Sequence, residues 1–139
     1  MCYALCYIIH NDNYGVDAMQ IRESAENYLE AILVLSRNES NVRSVDVAAE
    51  LAYTKPSVSV AMKKLRLDGY ILIDDDGSIT LTEKGLEIAE AVYERHTLIS
   101  GWLISLGVDE KTAMDDACRM EHVLSEDSFL AIKKHIKKI

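Results

Sequence analysis

The chain has 139 residues, of which 49% are hydrophobic and 27% are charged, and its formal net charge is −8. This length suits one domain, or two small lobes that share a core. A general polyanion binder is basic, so any nucleic-acid binding must come from a local basic patch. No apolar run reaches the ~20 residues that a membrane span requires. The cysteines are too few and too scattered for a disulfide framework, which suits a reducing cytoplasm; they are Cys2, Cys6 and Cys118.

Residues 1–21 are predicted to form a disordered leader. They begin with apolar residues but lack a basic segment and a small-residue cleavage site, which argues against a signal peptide. Met19 lies just before the first patterned helix, so a start of the working protein at Met19 is the alternative.

The first predicted helix begins at its cap, Ser24, and runs through Arg37, with apolar residues at helical spacing. Asn27 and Glu30 lie along the flank of this apolar stripe, three residues apart. From this helix alone, a pair of solvated polar side chains is the favoured interpretation.

Two short helices are predicted next, with Ser44 capping the first, Val45–Leu51, and Thr54 capping a second that runs to Asp68. The apolar residues of the first are Val45, Ala48 and Leu51. Pro56 is tolerated in the first turn of the second because its missing N–H would be unpaired there anyway. Two short helices joined by a tight turn are typical of a helix-turn-helix motif.

A change to β-branched and apolar residues predicts two strands, Tyr70–Ile73 and Ser78–Thr82, joined by an Asp-Gly turn. A hairpin directly after a helix-turn-helix makes a winged helix. Residues 41–72 hold five basic and three acidic residues, a modest positive excess in an acidic chain. Phosphate contacts would therefore be few, and DNA binding would need two copies of the motif. A solvated basic helix face remains the alternative.

The last part of the chain is predicted to be helical, with Thr82 capping a long helix, Glu83–Leu106. His96 falls in the apolar stripe of that helix, where a satisfied core histidine is the commoner outcome. Asp109 and Ser125 are the predicted caps of two further helices. Three helices beyond the winged helix predict a dimerisation lobe.

A helix over residues 115–122 would place Cys118, Glu121 and His122 on one face, because residues three and four apart lie over one another. A thiol, a carboxylate and an imidazole can together bind iron, manganese or zinc. The alternative is an ordinary amphipathic helix in which Cys118 is a small core residue. Residues 109–127 hold seven acidic and two basic residues.

The order of these elements and five sequence segments resemble the diphtheria toxin repressor family, the metal-dependent iron and manganese regulators of bacteria. The resemblance covers residues 22–139, and its most specific segment is Ala117–Ser125. It implies a mainly α fold with a small β-hairpin: an N-terminal winged helix-turn-helix, residues 22–82, and a helical metal-binding and dimerisation domain, residues 83–139. It also implies the short form, without an SH3-like domain. The other four segments are Ala25–Ile32, Lys55–Ser59, Leu81–Gly85 and Arg95–His96.

The resemblance implies a metal centre between the two lobes, with ligands from the first, fourth and fifth helices. Cys118 resembles the iron branch of the family and Glu30 the manganese branch, whereas Asn27 matches neither. A thiolate favours Fe²⁺ over the harder Mn²⁺, so Fe²⁺ is slightly preferred and Zn²⁺ is a surrogate. Carried over by position, the ligands are Asn27, Glu30, His96, Cys118, Glu121 and His122.

The expected function is a cytoplasmic, homodimeric, metal-activated repressor of metal homeostasis genes, and not an enzyme. A bound ion would tie the first helix to the fourth and fifth and fix the spacing of the two recognition helices at successive major grooves, ~34 Å apart. The metal would thus act by a population shift. The residues expected to contact the double-stranded DNA operator are Arg43, Thr54, Lys55, Pro56, Ser57, Ser59, Val60 and Lys63.

Two other functions remain open. In the first, Cys118 is a redox-sensing thiol of a winged-helix regulator, although acidic neighbours such as Asp115 disfavour its reactive thiolate form. In the second, the chain is a zinc hydrolase that uses Cys118, His122 and His96 as ligands and Glu30 or Glu121 as base. No known zinc-protease spacing supports it.

Overall fold

The computed structural model describes residues 18–138, and side-chain surroundings from Glu23 onward. Residues 1–17, most of the predicted leader, lie outside the described residues, so the prediction of disorder there stays untested. The described chain is mainly helical with one antiparallel hairpin, as predicted. Its elements are α1 (Ala18–Asn38), α2 (Ser44–Leu51), α3 (Lys55–Leu67), β1 (Ile71–Ile73), β2 (Ile79–Leu81), α4 (Glu83–Ser105), α5 (Glu110–Val123) and α6 (Glu126–Ile136).

The described residues form two compact units, and the chain passes from the first to the second between Val92 and Tyr93, inside α4. The first unit contains α1 to α3, the hairpin and the beginning of α4. The second contains the rest of α4 with α5 and α6. No helix within residues 18–138 combines the length and the apolar character needed to cross a bilayer.

Helix α1 begins at Ala18, so the prediction that Ser24 caps it is wrong. The residues before Ser24 include Met, Gln, Arg and Glu, which are good helix formers, and the helix therefore continues through Ser24 in the N-terminal direction. The apolar stripe predicted for this helix is buried, with Leu29 and Ile32 among the least exposed side chains of the chain. Within the first unit, α1 packs against α2 and β2.

Helices α2 and α3 form the predicted helix-turn-helix, and Ala52, at φ 55°, ends α2 in the left-handed conformation. The prediction that Ser44 caps α2 is wrong, because Ser44 is the first helical residue and Arg43 is the N-cap. Val45 is 50% exposed. Since α2 begins at Ser44, its inner face carries Val47 and Leu51 together with Ala48. Helix α3 buries the three residues predicted for its inner face, Val58, Met62 and Leu65.

The hairpin pairs Ile71 with Leu81 and Ile73 with Ile79, and an isolated bridge joins Val42 to Ile79. Ile71 and Ile79 are buried, so one face of the hairpin packs on the first unit. This two-stranded ribbon directly follows the helix-turn-helix and completes the winged helix.

In the second unit, one buried residue from each helix forms the core: Ile99 of α4, Ala117 of α5 and Phe129 of α6. The predicted caps of α5 and α6 are confirmed. The Asp109 carboxylate accepts the Thr112 N–H at 3.0 Å, and the Ser125 hydroxyl accepts the Ser128 N–H at 3.2 Å. The Thr112 hydroxyl and N–H, both bonded to the Asp109 carboxylate, lower the pKa of that group.

Helix α4 approaches the hairpin closely through Gly85, and a Cβ atom there would lie 2.0 Å from the Tyr70 carbonyl oxygen. Since that oxygen belongs to the backbone, the clash cannot be relieved by a side-chain rotation. We expect Gly85→Ala to lower the free energy of unfolding by about 1–3 kcal/mol, the usual cost of overpacking, as measured by urea denaturation.

Gly101 is the matched control, because it lies in the same helix and a Cβ there would meet nothing within 4 Å. We expect Gly101→Ala to raise the free energy of unfolding by up to about 1 kcal/mol through its better helix propensity. Equal stability of the two variants would contradict the close approach at Gly85.

Candidate functional site

Three potential metal ligands converge in the second unit: His96 of α4, and Cys118 and Glu121 of α5. One ligand atom from each lies within 4.8 Å of the other two. The three residues are 5%, 8% and 3% exposed, respectively. Cys118 and Glu121 share the inner face of α5 because they are three residues apart. The apolar stripe of α4 places His96 on the buried face of that helix.

The Glu121 carboxylate lies between two imidazoles. Its Oε2 atom is 3.1 Å from Nδ1 of His96, and its Oε1 atom is 3.4 Å from Nε2 of His122. The three side chains are almost completely buried. A buried carboxylate costs much free energy unless it is paired or ligates a cation. His122 therefore contacts the cluster through Glu121, although it is not among the three residues whose ligand atoms converge.

The donor atoms fit a divalent transition metal. Imidazole nitrogen suits zinc and iron, carboxylate oxygen suits manganese and iron, and thiolate sulfur suits the softer ions. Cys118 is disulfide-bonded in this structure. Cys118 must therefore be reduced before its sulfur can ligate a metal.

Asn27 and Glu30, the ligands implied for α1, belong to the first unit. They are 9% and 1% exposed, so the interpretation of α1 as carrying two solvated polar residues is wrong. The Asn27 Oδ1 atom has no hydrogen-bond partner among the described residues. A buried acceptor without a partner is unfavourable. The role of both residues as metal ligands stays a prediction.

The outer face of α3 carries most of the residues predicted to contact DNA, and all of these are exposed. Val60 is 69% exposed, although it is apolar. The Thr54 hydroxyl donates to the Ser57 hydroxyl at 2.8 Å at the start of the helix. With Val58, Met62 and Leu65 holding the inner face, this outer face can enter a DNA groove. The exposed residues are Thr54, Lys55, Pro56, Ser57, Ser59, Val60 and Lys63.

Arg43, the remaining predicted DNA contact, lies at the start of α2 and is exposed. Its Nη2 atom is 3.9 Å from the Asp76 carboxylate in the turn of the hairpin. Both side chains are about half exposed, and such surface ion pairs contribute little to stability. Arg43 can therefore exchange this carboxylate for a DNA phosphate at low cost.

Two residues contact the predicted sites although neither was predicted as a site residue. One is Asp76, beside Arg43. The other is Arg95, which donates to the carbonyl oxygen of Glu121 at 3.2 Å. In both cases the partner is distant in sequence, so no local spacing could have indicated the contact. The available signal for Arg95 was its place in the Arg95–His96 segment that carries the family resemblance.

Two family models match the chain and together cover nearly all of it. Residues 20–78 match the model described as "Iron dependent repressor, N-terminal DNA binding domain". Residues 82–139 match "Iron dependent repressor, metal binding and dimerisation domain". The first range contains the helix-turn-helix and β1, the first strand of the hairpin, and the second contains the His96, Cys118 and Glu121 cluster.

Curated proteins that resemble the chain are transcriptional regulators. An uncharacterised HTH-type transcriptional regulator of Methanocaldococcus jannaschii is 36% identical, and the match covers 84% of this chain and 94% of that protein. The transcriptional regulator MntR of Escherichia coli is 34% identical, with 84% of this chain and 76% of MntR covered.

Solved structures agree with these relatives. The manganese regulator SloR matches with a TM-score of 0.72 and 30% identity, covering 81% of this chain and 53% of that one. The metal-dependent transcriptional regulator MtsR matches with a TM-score of 0.76 and 27% identity, with the same coverage. The chain thus spans about half the length of these two solved proteins. From the two domain matches and the relatives together, the chain belongs to the iron-dependent repressor family of metal-dependent transcriptional regulators, the family of the diphtheria toxin repressor.

Proposed function

We propose that this protein is a homodimeric, cytoplasmic transcriptional repressor that binds operator DNA when a divalent metal is bound, controls metal homeostasis genes and has no enzymatic activity. The observation that carries the proposal is the buried cluster of His96, Cys118 and Glu121, with ligand atoms within 4.8 Å of one another. A nitrogen, a sulfur and an oxygen donor converge there in a domain whose family model is described as metal-binding.

The metal we propose is Fe²⁺, with Mn²⁺ as the rival and Zn²⁺ as a surrogate. Reduced Cys118 supplies a thiolate, which favours iron over the harder manganese ion. The matching family models are described as iron-dependent, whereas SloR is described as a manganese regulator. The preference therefore depends on whether Cys118 ligates the ion.

His122, Glu30 and Asn27 are proposed as further ligands. His122 supports this role by its contact with Glu121, and Glu30 by its nearly complete burial. Asn27 is the weakest of the six, because an amide oxygen is neutral, but ligation would satisfy its buried Oδ1 atom.

A bound divalent cation would supply positive charge beside α5, where residues 109–127 hold seven acidic and two basic residues. Glu121 and His96 then hold the last turn of α5 against α4 in the domain that the family model describes as dimerising. We propose that this ordering favours the dimer, in which two copies of α3 reach successive major grooves ~34 Å apart. The residues that contact metal and those that contact DNA are different, so the coupling is conformational.

A redox role for Cys118 is the second candidate, and the disulfide-bonded state of Cys118 is the observation in its favour. Under this hypothesis, oxidation of the thiol changes DNA affinity without a metal. The two hypotheses differ for Glu121→Gln, which abolishes metal-dependent DNA binding under the first and spares the redox response under the second.

Replacing the central carboxylate should remove metal binding. We expect reduced, metal-free wild-type protein to bind Fe²⁺ and Mn²⁺ saturably, and Glu121→Gln to lose at least tenfold in affinity, because an amide cannot supply the negative charge. Calorimetry under anaerobic conditions, with Trp102 fluorescence in parallel, measures both. In Cys118→Ser we expect the preference to shift from iron towards manganese.

Glu110→Gln is the control for this experiment, because Glu110 is an exposed carboxylate in the first turn of the same helix. It should bind metal as the wild type does. An equal loss in Glu110→Gln and Glu121→Gln would point to general charge effects and contradict the proposed ligand set.

The basic residues of α3 should determine DNA affinity through phosphate contacts. We expect Lys63→Ala to weaken binding to a duplex, selected from a random pool by the metal-loaded protein, and to reduce the slope of log affinity against log salt by about 1. Fluorescence anisotropy over a series of salt concentrations gives both values. The control is Lys111→Ala, because Lys111 is an exposed lysine of α5, and this variant should leave the slope unchanged. A changed slope in Lys111→Ala, or an unchanged slope in Lys63→Ala, would refute the proposed DNA surface.

A further inference from the structure

Arg95 joins the three helices of the second unit through one side chain. Its Nη1 atom donates to the carbonyl oxygen of Glu121 at 3.2 Å and to that of Leu124 at 3.0 Å. Its Nη2 atom pairs with the Glu126 carboxylate at the start of α6. The guanidinium also lies over the ring of Phe129, with Cζ 4.9 Å from the ring centroid. The Arg95 side chain is only 17% exposed, so its guanidinium is largely shielded from water, whereas the Glu126 side chain is 68% exposed.

These contacts cap the C-terminal end of α5. The last carbonyl groups of a helix have no partner within the helix, and a cation near them is stabilised by the helix dipole. Helix α5 ends at Val123, with Leu124 as its C-cap, so the two carbonyls bonded by Arg95 belong to this end. A planar guanidinium has several donors in fixed geometry and can bond both carbonyls and a carboxylate together.

Glu121 is consequently held at two points by adjacent residues of α4. Arg95 bonds its main-chain oxygen, and His96 contacts its carboxylate at 3.1 Å. The first contact limits where the last turn of α5 lies along α4, and the second limits the direction of the carboxylate. Together they determine how closely the ligand atoms of α5 approach His96.

We propose that Arg95 is a positioning residue for the metal cluster: by capping α5, it holds Glu121 and Cys118 at ligand distance from His96. The proposal rests on the proposed metal-binding function. Arg95 itself directs its donors to carbonyls and to Glu126, and it supplies no ligand to the metal. Groups that orient metal ligands typically change affinity about 10–100-fold when removed.

The test uses the reduced full chain and Co²⁺, whose absorption bands report the thiolate ligand and the coordination geometry. We expect Arg95→Met to weaken Co²⁺ binding about 10–100-fold and to alter the d–d and thiolate charge-transfer bands. Arg95→Lys, which keeps a cation near the carbonyls but lacks the planar fork, should lie between the wild type and Arg95→Met. If Arg95→Met fails to fold by circular dichroism, Arg95→Lys carries the test alone.

Lys133→Met is the matched control. Lys133 pairs with Glu94, which precedes Arg95 in α4, so this ion pair also joins α4 to α6. Removing it tests loss of a helix contact without loss of the α5 cap. Wild-type affinity and spectrum in Arg95→Met, or an equal loss in Lys133→Met, would overturn the proposal. Failure of the wild type itself to bind Co²⁺, Fe²⁺ or Mn²⁺ would instead refute the proposed function.

Discussion

The buried carboxylate of Glu121 is the constraint on which the second unit depends. Its side chain has no exposed surface, and its two oxygens contact imidazoles on either side. Burying a carboxylate in a protein interior is costly, and the cost falls only when positive charge or strong hydrogen bonds replace water. The imidazoles of His96 and His122 are the partners that the structure places against this carboxylate.

The same constraint connects packing to regulation. A cluster that already holds an imidazole, a sulfur and a carboxylate together gains most from a cation that can ligate all three. The packing of Ile99, Ala117 and Phe129 fixes the helices that carry these ligands. We propose that repulsion among the acidic residues around α5 loosens this packing without a cation and that a bound cation relieves the repulsion. Under this proposal, metal binding and ordering of the dimerisation domain are coupled.

Local patterns predicted the elements well where periodicity and capping agreed. The caps Asp109 and Ser125, and the inner face of α3, follow from residues close together in sequence. The start of α1 was predicted wrongly because good helix formers precede Ser24 and extend the helix in the N-terminal direction.

The candidate site was only partly accessible to such reasoning. The spacing of Cys118 and Glu121 indicated a shared face, but nothing local to His96 showed that it would lie beside them; the family resemblance supplied that expectation. The burial of Asn27 and Glu30 contradicted the local interpretation, because burial depends on tertiary packing. The contacts of Arg95 with Glu121 and Leu124 likewise join helices that are distant in sequence.

The central claim is that metal at the Glu121 cluster controls DNA affinity, and its most direct test is the DNA affinity of the reduced chain with and without saturating Fe²⁺ or Mn²⁺. We expect metal to raise the DNA affinity of the wild type about 5–150-fold, the usual range of allosteric coupling, and to leave the DNA affinity of Glu121→Gln unchanged. Equal DNA affinity of the wild type in the presence and absence of metal would contradict it.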